Sequence, residues 1–278
     1  MKKILVPTDF SATAKCAMTY AQVLAAEMEG GQIDVVHLYL PATAAEYPNI
    51  VPPIPEFVEA REKMLAEFVE ETCKSFEGGV ATSLKVNKNL LVGFPADEIV
   101  RISSGYDLIV MGTTGESDLL DELFGSVSSH VARKAKCPVI LVPKGIEFNP
   151  IEHILYASNY ESANENMVHA LLDFNQHFNA TIHFVHVREE ADAEFSKPKE
   201  DIFNELFTKG EPPFGFEIEE VEGANISEAL NHYAEEKSID LVVMVARKRS
   251  FWDNFFHRSQ TKRMALNTRL PVMVLHLS

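Results

Sequence analysis

The sequence predicts an α/β fold of two doubly wound, Rossmann-like domains, each with a five-stranded parallel sheet flanked by helices. Three observations carry this. Short Val/Ile/Leu runs alternate with longer helical stretches, the pattern of parallel strands covered on both faces. That arrangement occurs twice along 278 residues, about what two domains of roughly 150 residues need. A composition of 46% hydrophobic and 24% charged residues supplies two cores without outside staples.

In the first copy the apolar runs place strands near residues 2–7, 32–38, 80–86, 107–112 and 138–142. Helical patterns fill the intervals near 12–28, 56–76, 96–104 and 126–136. The second copy repeats the scheme with strands near 152–157, 181–187, 215–221, 240–245 and 271–276. Right-handed crossovers then give doubly wound domains whose ligand crevice lies at the carboxyl ends of the strands.

Direct alignment of the halves supports the duplication. Ile4-Leu-Val-Pro-Thr-Asp-Phe-Ser-Ala-Thr-Ala14 matches Ile154 to Asn164, and Val36-His-Leu38 matches Val185-His-Val187. Asp107-Leu-Ile-Val-Met111 matches Asp240-Leu-Val-Val-Met244, and Cys137-Pro-Val-Ile-Leu141 matches Leu270-Pro-Val-Met-Val274. The offset falls from 150 to 133, so the second copy is 17 residues shorter in its middle, opposite Pro41 to Lys74. The domains are expected at 1–145 and 150–278, joined by the short Pro/Gly/Asn stretch Pro143 to Pro150. So short a linker favours halves packed as a pseudo-two-fold pair through the strands at 138–142 and 271–276. Further homodimerisation is left open.

Charge and motif content exclude several classes. A net charge of −16 repels phosphate backbones and anionic lipid surfaces, so no nucleic-acid or membrane partner is expected. Three widely spaced cysteines, Cys16, Cys73 and Cys137, suit reduced thiols of a cytoplasmic protein rather than a disulfide framework or zinc motif. Pro7 and Asp9 interrupt the first apolar run, so an exported leader is not expected. Walker A, G-x-S-x-G and H-x-x-x-H patterns are absent. His37 and His186, at matching positions inside apolar runs, read as structural histidines. Pro41 to Pro55 reads as a long loop at the ligand end of the sheet, a lid or a disordered stretch.

The chemistry concentrates after the fourth strand. Gly112, Gly115 and Gly125-Ser126 form G-x-x-G-x9-G-S, a pattern expected by chance about 0.003 times in a chain of this composition. Glycines let backbone approach phosphate oxygens, and a helix opening near Ser126 turns free N–H groups and its positive dipole end toward an anion. Asp9, at the end of the first strand, can accept hydrogen bonds from ribose or adenine donors, or serve as a local turn residue before Ser11.

On these residues the chain resembles the universal stress protein family, in its nucleotide-binding branch, as a tandem member over essentially its whole length. The resemblance implies contacts to ATP or a related adenine nucleotide from Asp9, Leu38, Met111, Gly112, Gly115, Gly125, Ser126 and Val127. Asp9 and Leu38 would serve the adenosine portion and the loop the phosphates. The equivalent positions of the second copy are Asn159, Val187, Met244, Val245, Lys248, Arg258 and Ser259. All three glycines are gone there, so that site is expected to be closed to ATP.

The loop contains Glu116, Asp118, Asp121 and Glu122 but no Lys or Arg, so fast phosphoryl transfer lacks its cations. Those acids could place Mg²⁺ on the phosphates, though solvated first-turn acids account for them more simply. The expectation is therefore a cytoplasmic stress-response protein in which nucleotide binding is regulatory, with slow hydrolysis compatible. The alternatives are a nucleotide-independent protein-interaction module and an adenine-nucleotide enzyme on a similar fold. Arg247-Lys-Arg249 with Phe251, Trp252, Phe255 and Phe256 reads as a solvated charge run beside packed aromatics, or as an anion site.

Overall fold

In a computed structural model of the chain, residues 3–28, 31–40, 55–74, 84–113, 125–146, 148–158, 165–188, 214–224, 226–246 and 270–276 are described. The chain divides into two units, Met1–Phe148 and Asn149–Ser278. Among the described residues no helix is long and apolar enough to cross a membrane.

Unit one contains β1 (Lys3–Pro7), α1 (Ala12–Glu27), β2 (Gln32–Tyr39), α2 (Pro55–Lys74), β3 (Lys85–Val92), α3 (Pro95–Ile102), β4 (Leu108–Gly112), α4 (Ser126–Lys134) and β5 (Val139–Val142). Its strands pair in the order β3-β2-β1-β4-β5, all in parallel. Unit two contains β6 (His153–Ser158), α5 (Glu165–Asn175), β7 (Thr181–Arg188), β8 (Phe216–Glu222), α6 (Ile226–Glu236), β9 (Leu241–Ala246) and β10 (Val272–His276). It repeats the order as β8-β7-β6-β9-β10, again parallel. In each unit the chain reverses direction beside its first strand, which makes the gap between β1 and β4 the topological switch point of unit one.

The central strands are apolar because both faces are covered. Ile4, Leu5 and Val6 of β1 and Leu108, Ile109 and Val110 of β4 are all at most 1% exposed. Alternation along β2 separates the helical layers. His37 reaches Arg61 of α2, while its neighbours Val36 and Leu38 line a cavity together with Ile99 of α3. Helices α1 and α2 are joined by the Lys15–Glu71 ion pair, and α3 and α4 by the His130–Asp97 contact.

One expectation is corrected. The third strand lies at Lys85–Val92, not near 80–86. It is an edge strand of its unit, and none of its eight residues is fully buried. Polar side chains are admitted there, so a search for continuous apolar runs passes over Lys85-Val-Asn-Lys-Asn89.

The repeated aspartates have a shared structural task at the amino ends of the strands. Asp107 accepts the Lys3 N–H through Oδ2 at 2.9 Å. Asp240 accepts the Glu152 and His153 N–H groups through Oδ2, both at 2.9 Å. Each carboxylate fixes the entry of the first strand of its unit against the fourth. Replacing either with alanine is expected to cost about 1–2 kcal/mol, measured by urea unfolding of the full chain.

Candidate functional site

A cavity of about 390 Å³ opens at the switch point of unit one, within the roughly 300–1,000 Å³ that small-molecule sites span. Its apolar wall includes Val36, Leu38, Pro95, Ile99 and Met111, and its polar side carries Asp9, Ser126 and Ser128. Asp9, Leu38, Met111, Gly112, Gly125, Ser126 and Val127, drawn from three strand ends and one helix start, meet in this one space. Gly115 lies outside the described residues.

The Asp9 edge is built by a tight hydrogen-bonded turn. The Thr8 N–H donates to the Val36 carbonyl at 2.9 Å, the Phe10 N–H to Thr8 Oγ1 at 3.0 Å and the Ser11 N–H to Asp9 Oδ1 at 3.0 Å. Ser11 then caps α1, its Oγ accepting from the Ala14 N–H at 3.1 Å. Phe10 sits in the left-handed region at φ 69°, which costs a bulky residue about 1–3 kcal/mol unless its surroundings enforce it. They do so here, with its ring 4.3 Å from that of His37 and 5.9 Å from that of Phe68. Asp9 accepts from the Ser11 amide, as the local-turn reading expects, and it stays exposed at the cavity wall.

The opposite edge is the start of α4. Gly125 is its N-cap and no side chain caps this end. Ser129 N–H is bonded to the Gly125 carbonyl at 3.0 Å, so the amides of residues 126–128 precede the helical ladder. Three of the cavity-lining residues are these same three. The loop ends are tied together, because Gly125 N–H and Ser128 Oγ both donate to the Thr113 carbonyl at 2.6 Å. An anion at this edge would meet the amides of the first helical turn and the positive end of the helix dipole.

Gly112 is glycine for a reason that spacing alone did not reveal. A Cβ there would lie 2.9 Å from Thr13 Cβ and 3.0 Å from its carbonyl carbon. The end of β4 thus passes against the first turn of α1 where Gly112 lines the cavity.

His37 is a satisfied buried histidine. Its Nδ1 lies 2.8 Å from the Thr8 carbonyl oxygen, and Arg61 Nη1 lies 2.7 Å from its Nε2. Burial, aided by Arg61, holds its pKa below the ordinary value despite the Thr8 bond and the Asp9 charge. A second histidine, which the pattern of apolar runs did not single out, has a similar environment. His183 of β7 is 2% exposed, with Nδ1 3.0 Å from Tyr233 Oη and Nε2 3.1 Å from His153 Nδ1.

In unit two the positions matching the cavity wall are packed. Val187 and Met244 belong to a buried cluster with Leu230 and Tyr233 of α6, and Ile226 packs against it. Val245, opposite Gly112 in the repeat, is 7% exposed. Branched side chains of α6, Ile226 and Leu230, thus pack against Val187 and Met244 in unit two. Asn159, Lys248, Arg258 and Ser259, and the Arg247–Phe256 stretch, lie outside the described residues.

The cavity wall carries no Lys, Arg or His among its described residues and a single carboxylate, Asp9. Among the described residues no three His, Cys, Asp or Glu side chains converge as a metal site would require. The acids considered for Mg²⁺, Glu116, Asp118, Asp121 and Glu122, lie outside the described residues.

Comparison with known proteins gives a consistent picture. The model of the universal stress protein family matches residues 1–143 and again 150–276. Universal stress protein MJ0577 of Methanocaldococcus jannaschii is 30% identical over 156 residues, covering 51% of this chain and 95% of the relative. MJ0531 of the same organism is 34% identical over 146 residues, covering 51% of this chain and 82% of that protein. A crystal structure of a universal stress protein from Archaeoglobus fulgidus superposes with a TM-score of 0.71 at 20% identity, over 99% of this chain and 96% of its own. That likeness is one of fold.

Proposed function

The chain belongs to the universal stress protein family, and from that premise we propose that its first unit binds ATP or a related adenine nucleotide while its second unit serves as a scaffold. The observation that carries the reading is the meeting of seven residues, separated by up to 118 positions in sequence, around one cavity at the switch point. The apolar wall of Leu38, Ile99 and Met111 suits the flat faces of a purine, and Asp9 suits hydroxyl or amino donors. The first-turn amides at the start of α4 suit phosphate oxygens.

Binding without rapid turnover follows from the same wall. Phosphoryl transfer needs cationic groups on the developing charge, and the described wall holds none. Nucleotide occupancy would instead alter what the protein presents to other molecules, as a stress-response role requires. Any Mg²⁺ would come with the phosphates and add charge neutralisation at the α4 edge.

Calorimetry on the full chain tests the reading. The expected result is one ATP per chain, with binding lost in Gly115→Val. Two equivalent sites, or unchanged affinity in that variant, would overturn it.

A further inference from the structure

We propose that Arg61 and His37 form a positioning relay that holds the Asp9 edge of the cavity, so that ligand affinity is governed partly from α2, a helix that contributes no residue to the cavity wall. The proposal rests on the adenine-nucleotide reading of that cavity.

The chemistry of the contact fixes the direction of the relay. A guanidinium only donates hydrogen bonds, so with Arg61 Nη1 2.7 Å away, His37 Nε2 must be the acceptor. The ring proton therefore sits on Nδ1, where it donates to the Thr8 carbonyl at 2.8 Å. Removing the guanidinium leaves Nε2 without its donor, while the Thr8 carbonyl, which only accepts, still selects the Nδ1–H form; what is lost is the contact that pins the far edge of the ring from α2.

The same ring supports both neighbours of Asp9. Thr8 is held through its carbonyl, and the Phe10 ring lies against the imidazole at 31° with the backbone of Phe10 in the left-handed region. Asp9 is thus suspended between two residues that rest on one buried histidine, which is 5% exposed. Arg61 is itself held, with its Cζ 5.3 Å from the Tyr39 ring centre and 5.1 Å from that of Phe57. The charged groups facing His37 are Arg61 from α2 and Asp9 from the turn. Neither Arg61 nor His37 reaches the cavity. Their role is to position, and it is a role a change at Arg61 tests without opening a hole in the core.

The test uses the full chain with Arg61→Ala and Arg61→Lys, the second retaining a charged donor. Nitrogen-15 spectra of the imidazole and of the Thr8, Asp9 and Phe10 amides are recorded without ligand. ATP is then titrated at high salt, where the loss of a distant charge is screened. Wild type should show the Nδ1–H form. Arg61→Ala should keep the Nδ1–H form but show a displaced Nε2 signal, displaced Asp9 and Phe10 amide signals, and an affinity lower by about three- to tenfold. Arg61→Lys should return the Nε2 signal toward its wild-type position and recover most of the affinity. A wild-type Nε2–H form, or Arg61→Ala with unmoved Asp9 signals, would overturn the relay. Displaced signals with unchanged affinity would overturn its link to the ligand. Absence of ATP binding by wild type would overturn the nucleotide reading, and the relay would then be judged by the tautomer and amide signals alone.

Discussion

Valine at Gly112 is expected to abolish measurable ATP binding and to lower the stability of the first unit by about 1–3 kcal/mol, the range for forcing extra carbons into a packed interior. Even the first added carbon would lie 2.9 Å from Thr13 Cβ and 3.0 Å from backbone. Thr13 belongs to the first turn of α1, which Ser11 caps, so moving it disturbs the turn that presents Asp9. Gly112 also lines the cavity. The variant therefore damages the wall and the Asp9 edge together, and the affinity loss should exceed tenfold, the effect of about 1.4 kcal/mol. Calorimetry and thermal unfolding on one preparation check both halves of the claim. A folded Gly112→Val chain that still binds ATP normally would contradict it. Nature has made this same exchange in the second copy, where Val245 is buried.

Asp34→Ala is expected to cost about 1.5–3 kcal/mol, the range for losing hydrogen bonds to a charged group, read as a lower urea midpoint at neutral pH. Asp34 is 5% exposed. It accepts from Asn87 Nδ2 at 2.6 Å, Gln32 Nε2 at 2.8 Å and Tyr106 Oη at 3.1 Å, with Lys3 Nζ at 3.4 Å. Burial alone would raise its pKa, but those hydrogen bonds and Lys3 together hold it below its ordinary value of 3.8. The stabilisation is present above the unfolded value and is lost as pH falls below 3.8 through the folded one. His37 and His183 act earlier. Burial lowers both from 6.5, so the unfolded chain takes up protons first and stability declines as pH drops below 6.5. Unfolding midpoints should therefore be level between about pH 7 and 8, fall below 6.5, and fall again below 3.8. His183→Gln should make the first decline shallower. A profile flat down to pH 4 would refute the histidine contribution.

Local features were legible in the sequence and remote ones were not. The central strands were readable because burial on both faces demands continuous apolar runs, as in Ile4-Leu-Val6 and Leu108-Ile-Val110. The edge strand β3 escaped because one side of its ladder is unpaired in its unit and its side chains are only partly covered. The glycine spacing and Asp9 could be found because both lie at strand-to-helix junctions with recognisable residue types. Pro95 and Ile99 join the cavity only because the crossover after β3 brings α3 over its wall, and nothing in their local sequence announces it. The reading of His37 as structural agrees with its two satisfied ring nitrogens, whereas Arg61 as its partner, 24 positions away, depends on how α2 packs.

The aspartate latches at Asp107 and Asp240 bear on how such a chain can change over generations. They close the amino ends of the strands, and the cavity-lining residues occupy the carboxyl ends, a strand length away. Substitutions that rewrite the recognition surface therefore leave the assembly instructions intact, and drift at one pole of the sheet is insulated from the other. A duplicated copy is free to lose its ancestral chemistry while remaining a foldable blank. Grafting unit-one residues onto the carboxyl ends of β6, β7 and β9 is the corresponding experiment in the forward direction, with Asp240 left untouched as the anchor of the recipient.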